Sequence, residues 1–329
     1  MIIVTGAAGF IGSVLAAELN KAGYENLILV DRLRDGHKWK NLRGVVFSEY
    51  IHADDLFEPG VIEDLSEVEA IFHMGACSST TETNVDYLMS NNVEFSKALF
   101  QWATQAKVPF IYASSAATYG EGELGYDDDH SKINQLRPMN AYGWSKQVFD
   151  QWALKQTEMP PRWFGLKFFN VFGPNESHKG DMRSLVNKAY EQINSKGTVK
   201  LFKSHKEGFA HGEQLRDFVY VVDVVRAMLS MWKLESVSTS NNGIYNMGTG
   251  QERSFKALVE ASFKALNKPA SIEFIDMPET IRGQYQYFTK AKMNKFYELI
   301  PGFKFMSLED AVSDYICKYL HKNSKGYAD

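Results

Sequence analysis

The chain opens with Ile2-Ile3-Val4-Thr5-Gly6-Ala7-Ala8-Gly9-Phe10-Ile11-Gly12, and this stretch decides the fold. A β-branched run leads into three glycines, after which apolar residues recur at helical spacing until Gly23. The next apolar run ends in Asp31, at about the 20-residue distance where a dinucleotide-binding βαβ unit places the carboxylate that binds a ribose. The pattern therefore predicts a dinucleotide site, whereas a plain tight turn is the alternative use of these glycines.

The three glycines have separate physical roles in this prediction. Gly6 permits a tight turn, Gly9 lets backbone amides approach a pyrophosphate, and Gly12 allows the helix to pack closely. The positive end of the helix dipole then faces the phosphates.

The composition is that of a globular protein, because 44% of the 329 residues are hydrophobic and 23% are charged. The net charge of −4 provides no broad positive field, so we expect no nucleic acid partner. Cys77 and Cys317 match no metal-ligand spacing and are typical of a reducing compartment, so we expect no metal. The fold motif begins at the first residues and no apolar run approaches about 20 residues, which predicts a cytoplasmic protein without a membrane partner.

Strands and helices alternate beyond Asp31. The sequence predicts a strand at residues 70–73, an amphipathic helix from residue 87 to residue 106, and a further strand at residues 110–113. This alternation predicts an α/β fold with a Rossmann-type, doubly wound parallel sheet, whose ligands bind at the carboxyl ends of the strands.

The motifs also predict a division into two domains. We expect residues 1–170 and 216–248 to form the cofactor-binding domain. Residues 171–215 and 249–329 would form a smaller, discontinuous α/β substrate domain, with the active site in the cleft between the two.

A basic stretch follows Asp31 and bears on the choice of cofactor. Arg32 comes directly after the acid and Lys38 follows shortly, so both are placed to bind the 2′-phosphate of NADP. A solvated basic loop is the alternative, and the sequence favours NADP over NAD. Asn91 lies inside the long predicted helix, where it either approaches the cofactor or faces solvent.

Three side chains predict the chemistry. Tyr142 and Lys146 are four residues apart and share one face of a predicted helix, and Ser115 ends an earlier strand. A neighbouring ammonium and a positive nicotinamide ring both favour the phenolate of Tyr142. We expect Tyr142 to act as the base, Lys146 to hold the ribose and lower the phenol pKa, and Ser115 to hydrogen-bond the reacting oxygen. Surface packing is the alternative role of a lone Tyr-x-x-x-Lys pattern.

The Gly-x-x-Gly-x-x-Gly spacing and this trio resemble the extended, sugar-nucleotide branch of the short-chain dehydrogenase/reductase superfamily. Dehydratases of that superfamily need an acid or base pair after the hydroxyl residue, but Ala116 and Ala117 follow Ser115 here. Epimerisation and simple oxidoreduction remain.

More specific strings occur at residues 75–82, 114–120, 173–180 and 283–286. Together they resemble the ADP-glyceromanno-heptose 6-epimerase family over nearly the whole chain. The resemblance implies inversion of C6″ of an ADP-linked heptose, through a transient 6″-ketone and hydride return, for the inner core of lipopolysaccharide. It also implies a homo-oligomer, in a ring such as a pentamer.

The resemblance implies the binding residues as well. Those expected at the cofactor are Phe10, Ile11, Asp31, Arg32, Lys38, Met74, Gly75, Ala76, Cys77, Ser78, Asn91, Lys146 and Val171. Those expected at the substrate are Ser115, Asn170, Asp181, Lys188, Phe202, Lys203, Ser204, His205, Arg216 and Tyr285. Lys179 is implied as a second acid/base group beside Tyr142, although a lone loop lysine is ordinarily a solvated charge. The chain departs from the family at Arg32, Asp181 and Lys188, where the family has Asn, Ser and His.

Other functions fit parts of the pattern. One is a different nucleotide-sugar epimerase or oxidoreductase, for example one that acts at C4″. Another is a non-catalytic protein that senses NADP, but such a protein has no need of Ser115, Tyr142 and Lys146 together.

Overall fold

The computed structural model describes residues 1–235, 238–282, 285–322 and 326–328. Gly283 and Gln284, which belong to one of the family-like strings, lie outside the described residues. The strands are β1 (Ile2–Thr5), β2 (Leu27–Asp31), β3 (Glu49–His52), β4 (Ala70–His73), β5 (Phe110–Ser115), β6 (Trp163–Phe168), β7 (Asn170–Phe172), β8 (Val199–Phe202), β9 (Leu215–Tyr220), β10 (Gly243–Met247), β11 (Glu252–Ser254) and β12 (Ile272–Ile275).

The strands alternate with helices. The α-helices are α1 (Phe10–Lys21), α2 (Val85–Leu88), α3 (Phe95–Ala106), α4 (Ala141–Ala153), α5 (Leu185–Lys196), α6 (Val221–Trp232), α7 (Phe255–Ala265), α8 (Glu279–Arg282), α9 (Asn294–Leu299) and α10 (Leu308–Asp314). Short 3₁₀ turns include Lys38–Leu42, Ala116–Tyr119 and Ser177–Met182, and π-helical turns span Met89–Glu94 and Tyr315–Leu320.

Within the described residues, a sheet of seven parallel strands has the order β10-β6-β5-β4-β1-β2-β3. The predicted Rossmann-type fold is confirmed. The first strands are β-branched and buried throughout, as a sheet covered by helices on both faces requires. Strand β1 pairs with β2 on one side and with β4 on the other, so Thr5 lies beside both Val30 and His73. The carboxyl ends of these strands therefore open at one edge.

Smaller sheets extend the fold beyond the large sheet. Strands β7, β9 and β11 form one, and β8 pairs with β12 in another. The sequence assigned β9 to the cofactor domain, and in the structure β9 pairs with β7 and β11 while β10 joins the large sheet. The two-domain division with its boundaries stays a prediction.

The predicted helix from residue 87 to residue 106 is not a regular α-helix. It consists of α2, a π-helical turn and α3. Single π turns widen a helix locally and are frequent at functional sites. This turn contains both Asn91 and Asn92, which point to different partners.

Among the described residues no helix is long and apolar enough to cross a membrane. In the same part of the chain, no group of three or more His, Cys, Asp or Glu side chains is arranged to hold a metal ion.

Candidate active site

The glycine turn between β1 and α1 is packed too tightly for side chains. Gly6 has a φ of 64°, and a Cβ there would lie 2.6 Å from the backbone nitrogen of Gly75. A Cβ on Gly12 would collide with the carbonyl of Gly6, so the predicted close packing of the helix is present. Helix α1 begins directly after Gly9, which has no side chain to cap it. Its first N–H groups are therefore left for a ligand.

A cleft of about 800 Å³ lies at the carboxyl edge of the large sheet. The structure brings into its lining every residue that the sequence assigned to the cofactor, namely Gly6, Gly9, Phe10, Ile11, Gly12, Asp31, Arg32, Lys38, Met74, Gly75, Ala76, Cys77, Ser78, Asn91, Lys146 and Val171. It also brings Ser115, Tyr142, Asn170 and Lys179 into the same lining.

Asp31 is buried at the end of β2 and is surrounded by donors. Its carboxylate accepts hydrogen bonds from the backbone N–H of Ala8 at 2.8 Å and from that of Arg32 at 2.7 Å. The ammonium of Lys38 lies 2.6 Å from the same carboxylate. Lys38 therefore neutralises Asp31, which reduces the repulsion that this carboxylate exerts on a phosphate group.

The π-helical turn assigns two neighbouring asparagines to different tasks. Asn91 accepts a hydrogen bond from the Arg32 guanidinium at 2.7 Å, so it faces the cofactor cleft and not bulk solvent. Asn92 is buried and joins the backbone of Cys77 to the hydroxyl of Ser145 on α4. Sequence reasoning missed Asn92, because nothing local to it indicates that its partners are Cys77 and Ser145.

The predicted catalytic trio of Ser115, Tyr142 and Lys146 is brought together by close contact between α4 and the turn after β5. Asn140 caps α4 by accepting a hydrogen bond from the N–H of Gly143. A Cβ on Gly143 would lie 2.8 Å from the carbonyl of Ala117, so this glycine permits the approach. Tyr142 is hydrogen-bonded to the Ser115 hydroxyl as a result.

Burial controls the ionisation of the trio. It raises the pKa of Tyr142, and the hydrogen bond with Ser115 lowers it in part. Lys146 is not among the groups that shift this pKa, so its effect on the phenol stays a prediction. Burial also lowers the pKa of Lys146 itself to about 8. The hydrogen bond with Ser115 therefore stabilises the Tyr142 phenolate, and a positive charge on a bound ligand would stabilise it further.

A buried ion pair lies beneath the trio. Asp150 on α4 and Lys167 on β6 are both fully buried, with Lys167 Nζ 2.7 Å from Asp150 Oδ2. Lys167 also donates to the hydroxyl of Thr118, which in turn donates to the carbonyl of Ser115. Ser114 donates to Asp150 at 2.7 Å. The pair thereby ties the end of β5 to the helix that carries Tyr142 and Lys146.

Lys179 reaches the cleft from the 3₁₀ turn after β7. Its ammonium lies 5.5 Å from the centre of the Phe10 ring, next to the glycine turn. Burial lowers the pKa of Lys179, and the carboxylate of Glu176 raises it. Glu176 is itself buried and accepts hydrogen bonds from the backbone and hydroxyl of Ser184. Lys179 is therefore not an ordinary solvated lysine.

A second cluster adjoins the cleft through Phe255, which lines it, whereas Arg216, Tyr285 and Phe202 do not. The buried guanidinium of Arg216 lies 5.4 Å from the Phe255 ring and 5.3 Å from the Tyr285 ring, and it donates to the carbonyl of Gln286. Phe202 packs edge-on against Tyr285 at 6.4 Å. Lys203, Ser204 and His205 continue from that strand end.

Of the three positions where the chain departs from the family, Arg32 lines the cleft, whereas Asp181 and Lys188 do not. Lys188 donates a hydrogen bond to the carbonyl of Asp181 at 2.6 Å, and Asp181 is exposed. Arg183 and Ser184 line the cleft instead. Sequence reasoning missed these two residues, although they come within four residues of the string at residues 173–180 that carried the resemblance.

Comparison with known proteins identifies the kind of site. Residues 2–248 match the NAD dependent epimerase/dehydratase family. This chain belongs to that family. Membership of this family indicates a site for a nicotinamide cofactor. The tight glycine turn and the uncapped start of α1 fit such a cofactor.

Individual relatives are more specific. A protein of Fusobacterium nucleatum named ADP-L-glycero-D-manno-heptose-6-epimerase is 50% identical over 98% of both chains. A protein of the same name from Nitratidesulfovibrio vulgaris is 46% identical over 97% of this chain and 98% of its own.

Solved structures of nucleotide-sugar epimerases have the same fold as this chain. The crystal structure of the ADP-L-glycero-D-manno-heptose-6-epimerase of Helicobacter pylori has a TM-score of 0.80 and 30% identity, covering 96% of this chain and 94% of that one. The UDP-glucose 4-epimerase of Thermotoga maritima, solved with UDP-glucose, has a TM-score of 0.78 and 26% identity, covering 98% of this chain and 99% of its own. The relatives named as epimerases indicate that this chain is an epimerase.

Proposed function

We propose that this chain inverts C6″ of ADP-D-glycero-D-manno-heptose to give ADP-L-glycero-D-manno-heptose, in the biosynthesis of the lipopolysaccharide inner core. Identity of 50% over nearly the full length of a relative with that name supports the substrate. The observation that carries the chemistry is one cleft that holds Ser115, Tyr142, Lys146 and Lys179 together.

The glycine turn and the donors around Asp31 fit a nicotinamide dinucleotide. The N–H groups at the start of α1 would bind its pyrophosphate, and Lys146 would hold the ribose next to the nicotinamide. When bound, this cofactor accepts a hydride from the sugar carbon and returns it. We propose NADP over NAD, because Lys38 neutralises Asp31 while Arg32 and Arg34 line the cleft beside it.

The protein groups move protons and hold the sugar. In one orientation of C6″, Tyr142 takes the proton of the 6″-hydroxyl while Ser115 hydrogen-bonds the same oxygen. The resulting 6″-ketone then turns, so that its other face is presented for reduction. Lys179 serves this second orientation, because burial lowers its pKa and so makes its ammonium a better proton donor. Arg216 and Tyr285 would hold the nucleotide part of the substrate, with Asn170 nearer the sugar.

The remaining parts of the proposal concern partners and place. We propose a cytoplasmic enzyme that forms a homo-oligomer, such as a pentameric ring, and that binds neither nucleic acid nor membranes. The net charge of −4 supports the absence of a nucleic acid partner.

Product analysis in deuterated water tests the reaction. We expect ADP-L-glycero-D-manno-heptose to form from its D-glycero epimer without deuterium at C6″, because the hydride returns internally. Stoichiometric deuterium at C6″ would contradict this mechanism. Turnover of UDP-glucose in place of the heptose substrate would instead identify a C4″ epimerase.

Lys179→Met tests the second proton-transfer group. We expect kcat to fall by about 100-fold, which is the lower end for losing a general acid or base. Lys196→Met is the matched control, because Lys196 is exposed at the end of α5 and should leave kcat unchanged. A Lys179→Met variant with the activity of the control removes Lys179 from the mechanism.

A further inference from the structure

A basic groove adjoins the cofactor cleft at the ends of β2 and β3. It is lined by Arg32, Arg34, His52, Asp54, Tyr87, Ser90 and Asn91. Arg32, Arg34, Tyr87 and Asn91 also line the cofactor cleft, so the groove and the cleft are continuous. A group attached to the ribose that Asp31 faces would therefore extend towards this groove.

Arg32 is the basic side chain closest to Asp31 in sequence, and its guanidinium already has partners. Its Nε and one terminal nitrogen lie 2.7 and 2.6 Å from Oδ1 of Asp54. The other terminal nitrogen donates to Asn91 at 2.7 Å. The side of the guanidinium that is best suited to hold a phosphate in two-pronged fashion is thus taken by Asp54.

Asp54 is the carboxylate that a phosphate would meet at this guanidinium. Its side chain is 59% exposed, so it has room to move away, and the pair with Arg32 is of the weak, solvated kind. The other nearby cations have different partners. Arg34 donates to the Tyr87 hydroxyl and Lys38 pairs with Asp31.

We propose that Asp54 sets how strongly this chain prefers a 2′-phosphorylated cofactor, by competing with that phosphate for the guanidinium of Arg32. A ribose with a free 2′-hydroxyl leaves the Arg32–Asp54 pair in place, whereas a 2′-phosphate must displace the carboxylate and is repelled by it. Asp54 therefore lowers the affinity for the phosphorylated ligand and leaves the affinity for the unphosphorylated one unchanged. This inference rests on the proposed function, in which Arg32 faces the 2′-phosphate.

Calorimetric titration with adenosine 2′,5′-bisphosphate and with 5′-AMP tests the inference without turnover. We expect Asp54→Asn to bind the bisphosphate about fivefold more tightly than the natural chain, since an exposed ion pair is worth up to about 1 kcal/mol. Its affinity for 5′-AMP should stay within about twofold. The gain should shrink at high salt, because the repulsion it relieves is screened.

Asp55→Asn is the matched control. Asp55 is the next residue, is also exposed and lines neither the groove nor the cleft, so its neutralisation removes the same charge without freeing Arg32. We expect it to change neither affinity. In an Arg32→Met background, Asp54→Asn should produce a clearly smaller gain, because the guanidinium for which the carboxylate and the phosphate compete is gone and only the direct repulsion is relieved.

The outcomes separate the two proposals. If the natural chain binds the bisphosphate no more tightly than 5′-AMP, the preference for NADP is wrong and the role of Asp54 is wrong with it. If the natural chain does prefer the bisphosphate but Asp54→Asn leaves that preference unchanged or reduces it, Asp54 has no such role and the preference for NADP stands. An equal gain in Asp55→Asn would assign the effect to net charge and would also overturn the inference.

Discussion

Replacement of Lys167 by methionine should destabilise the protein strongly. Lys167 and its partner Asp150 are both fully buried in the core beneath the catalytic trio. Methionine fills a similar volume but leaves the carboxylate of Asp150 with two hydroxyl donors, those of Tyr112 and Ser114, and without its ion-pair partner. Breaking a buried pair by removal of one partner costs about 3–5 kcal/mol.

The expected shift in melting temperature follows from the size of the chain. Unfolding entropies of about 2.1 cal/mol/K per residue give about 0.7 kcal/mol/K for 329 residues. A loss of about 4 kcal/mol therefore lowers Tm by about 6 °C, measured by calorimetry and by urea unfolding. We also expect kcat to fall on the order of tenfold at a temperature where the variant is folded, because Lys167 holds Thr118 and, through it, the carbonyl of Ser115.

Two variants check the physical cause. Lys155→Met removes an exposed lysine just after α4, the helix that carries Asp150. It should change the free energy of unfolding by less than about 0.5 kcal/mol. The double variant Asp150→Leu with Lys167→Met removes both charges and should be more stable than Lys167→Met alone, because no unpaired charge stays buried. A loss of less than about 1 kcal/mol in Lys167→Met, or a double variant less stable than it, would refute the reasoning.

Three further predictions concern the trio, the substrate cluster and pH. Tyr142→Phe should lower kcat by about 100-fold or more while the cofactor still binds, and a fully active variant would show that Tyr142 is not the base. Arg216→Met should raise KM for the nucleotide sugar about 30-fold, as the loss of a buried charge-assisted contact would, and an unchanged KM would place the nucleotide elsewhere. Burial lowers the pKa of His73 from its usual 6.5 to about 3. Below pH 6.5 this histidine is therefore protonated in the unfolded chain and stays neutral in the folded one. The titration of His73 alone should therefore lower the free energy of unfolding by about 2 kcal/mol between pH 7 and pH 5, and His73→Gln should remove that share of the pH dependence.

Local patterns were sufficient for the frame of the fold. Strands β1, β2, β4 and β5 are β-branched or aromatic runs bounded by turn residues, and all four lie where the sequence predicts them. The predicted helix from residue 87 to residue 106 contains a π-helical turn that the apolar periodicity does not reveal. Two residues of that turn have partners distant in sequence, since Asn91 contacts Arg32 and Asn92 contacts Ser145.

The sequence by itself determined the kind of site. Its features can be read from short stretches of sequence. The glycine turn lies within seven residues, and Asp31 ends the next apolar run. Tyr142 and Lys146 are four residues apart, so a helix places them on the same face. The family resemblance added Lys179, which the structure brings into the same cleft, and also Asp181 and Lys188, which the structure keeps out of it. Resemblance to a family therefore does not by itself decide which side chains reach the cleft.

Only the tertiary structure decided the electrostatics of the site. Asp150 lies on α4 and Lys167 on β6, and they pair because α4 packs against the large sheet. The sequence contains no pattern that predicts this contact. The Tyr142 pKa is raised although the sequence suggested a lowered one, because burial depends on what other segments cover the phenol. The Arg32–Asp54 pair likewise joins the ends of two neighbouring strands. The pKa of a side chain and its ion-pair partner depend on which segments pack against it in the folded protein. The sequence pattern specifies only which residues can form the face of each helix or strand.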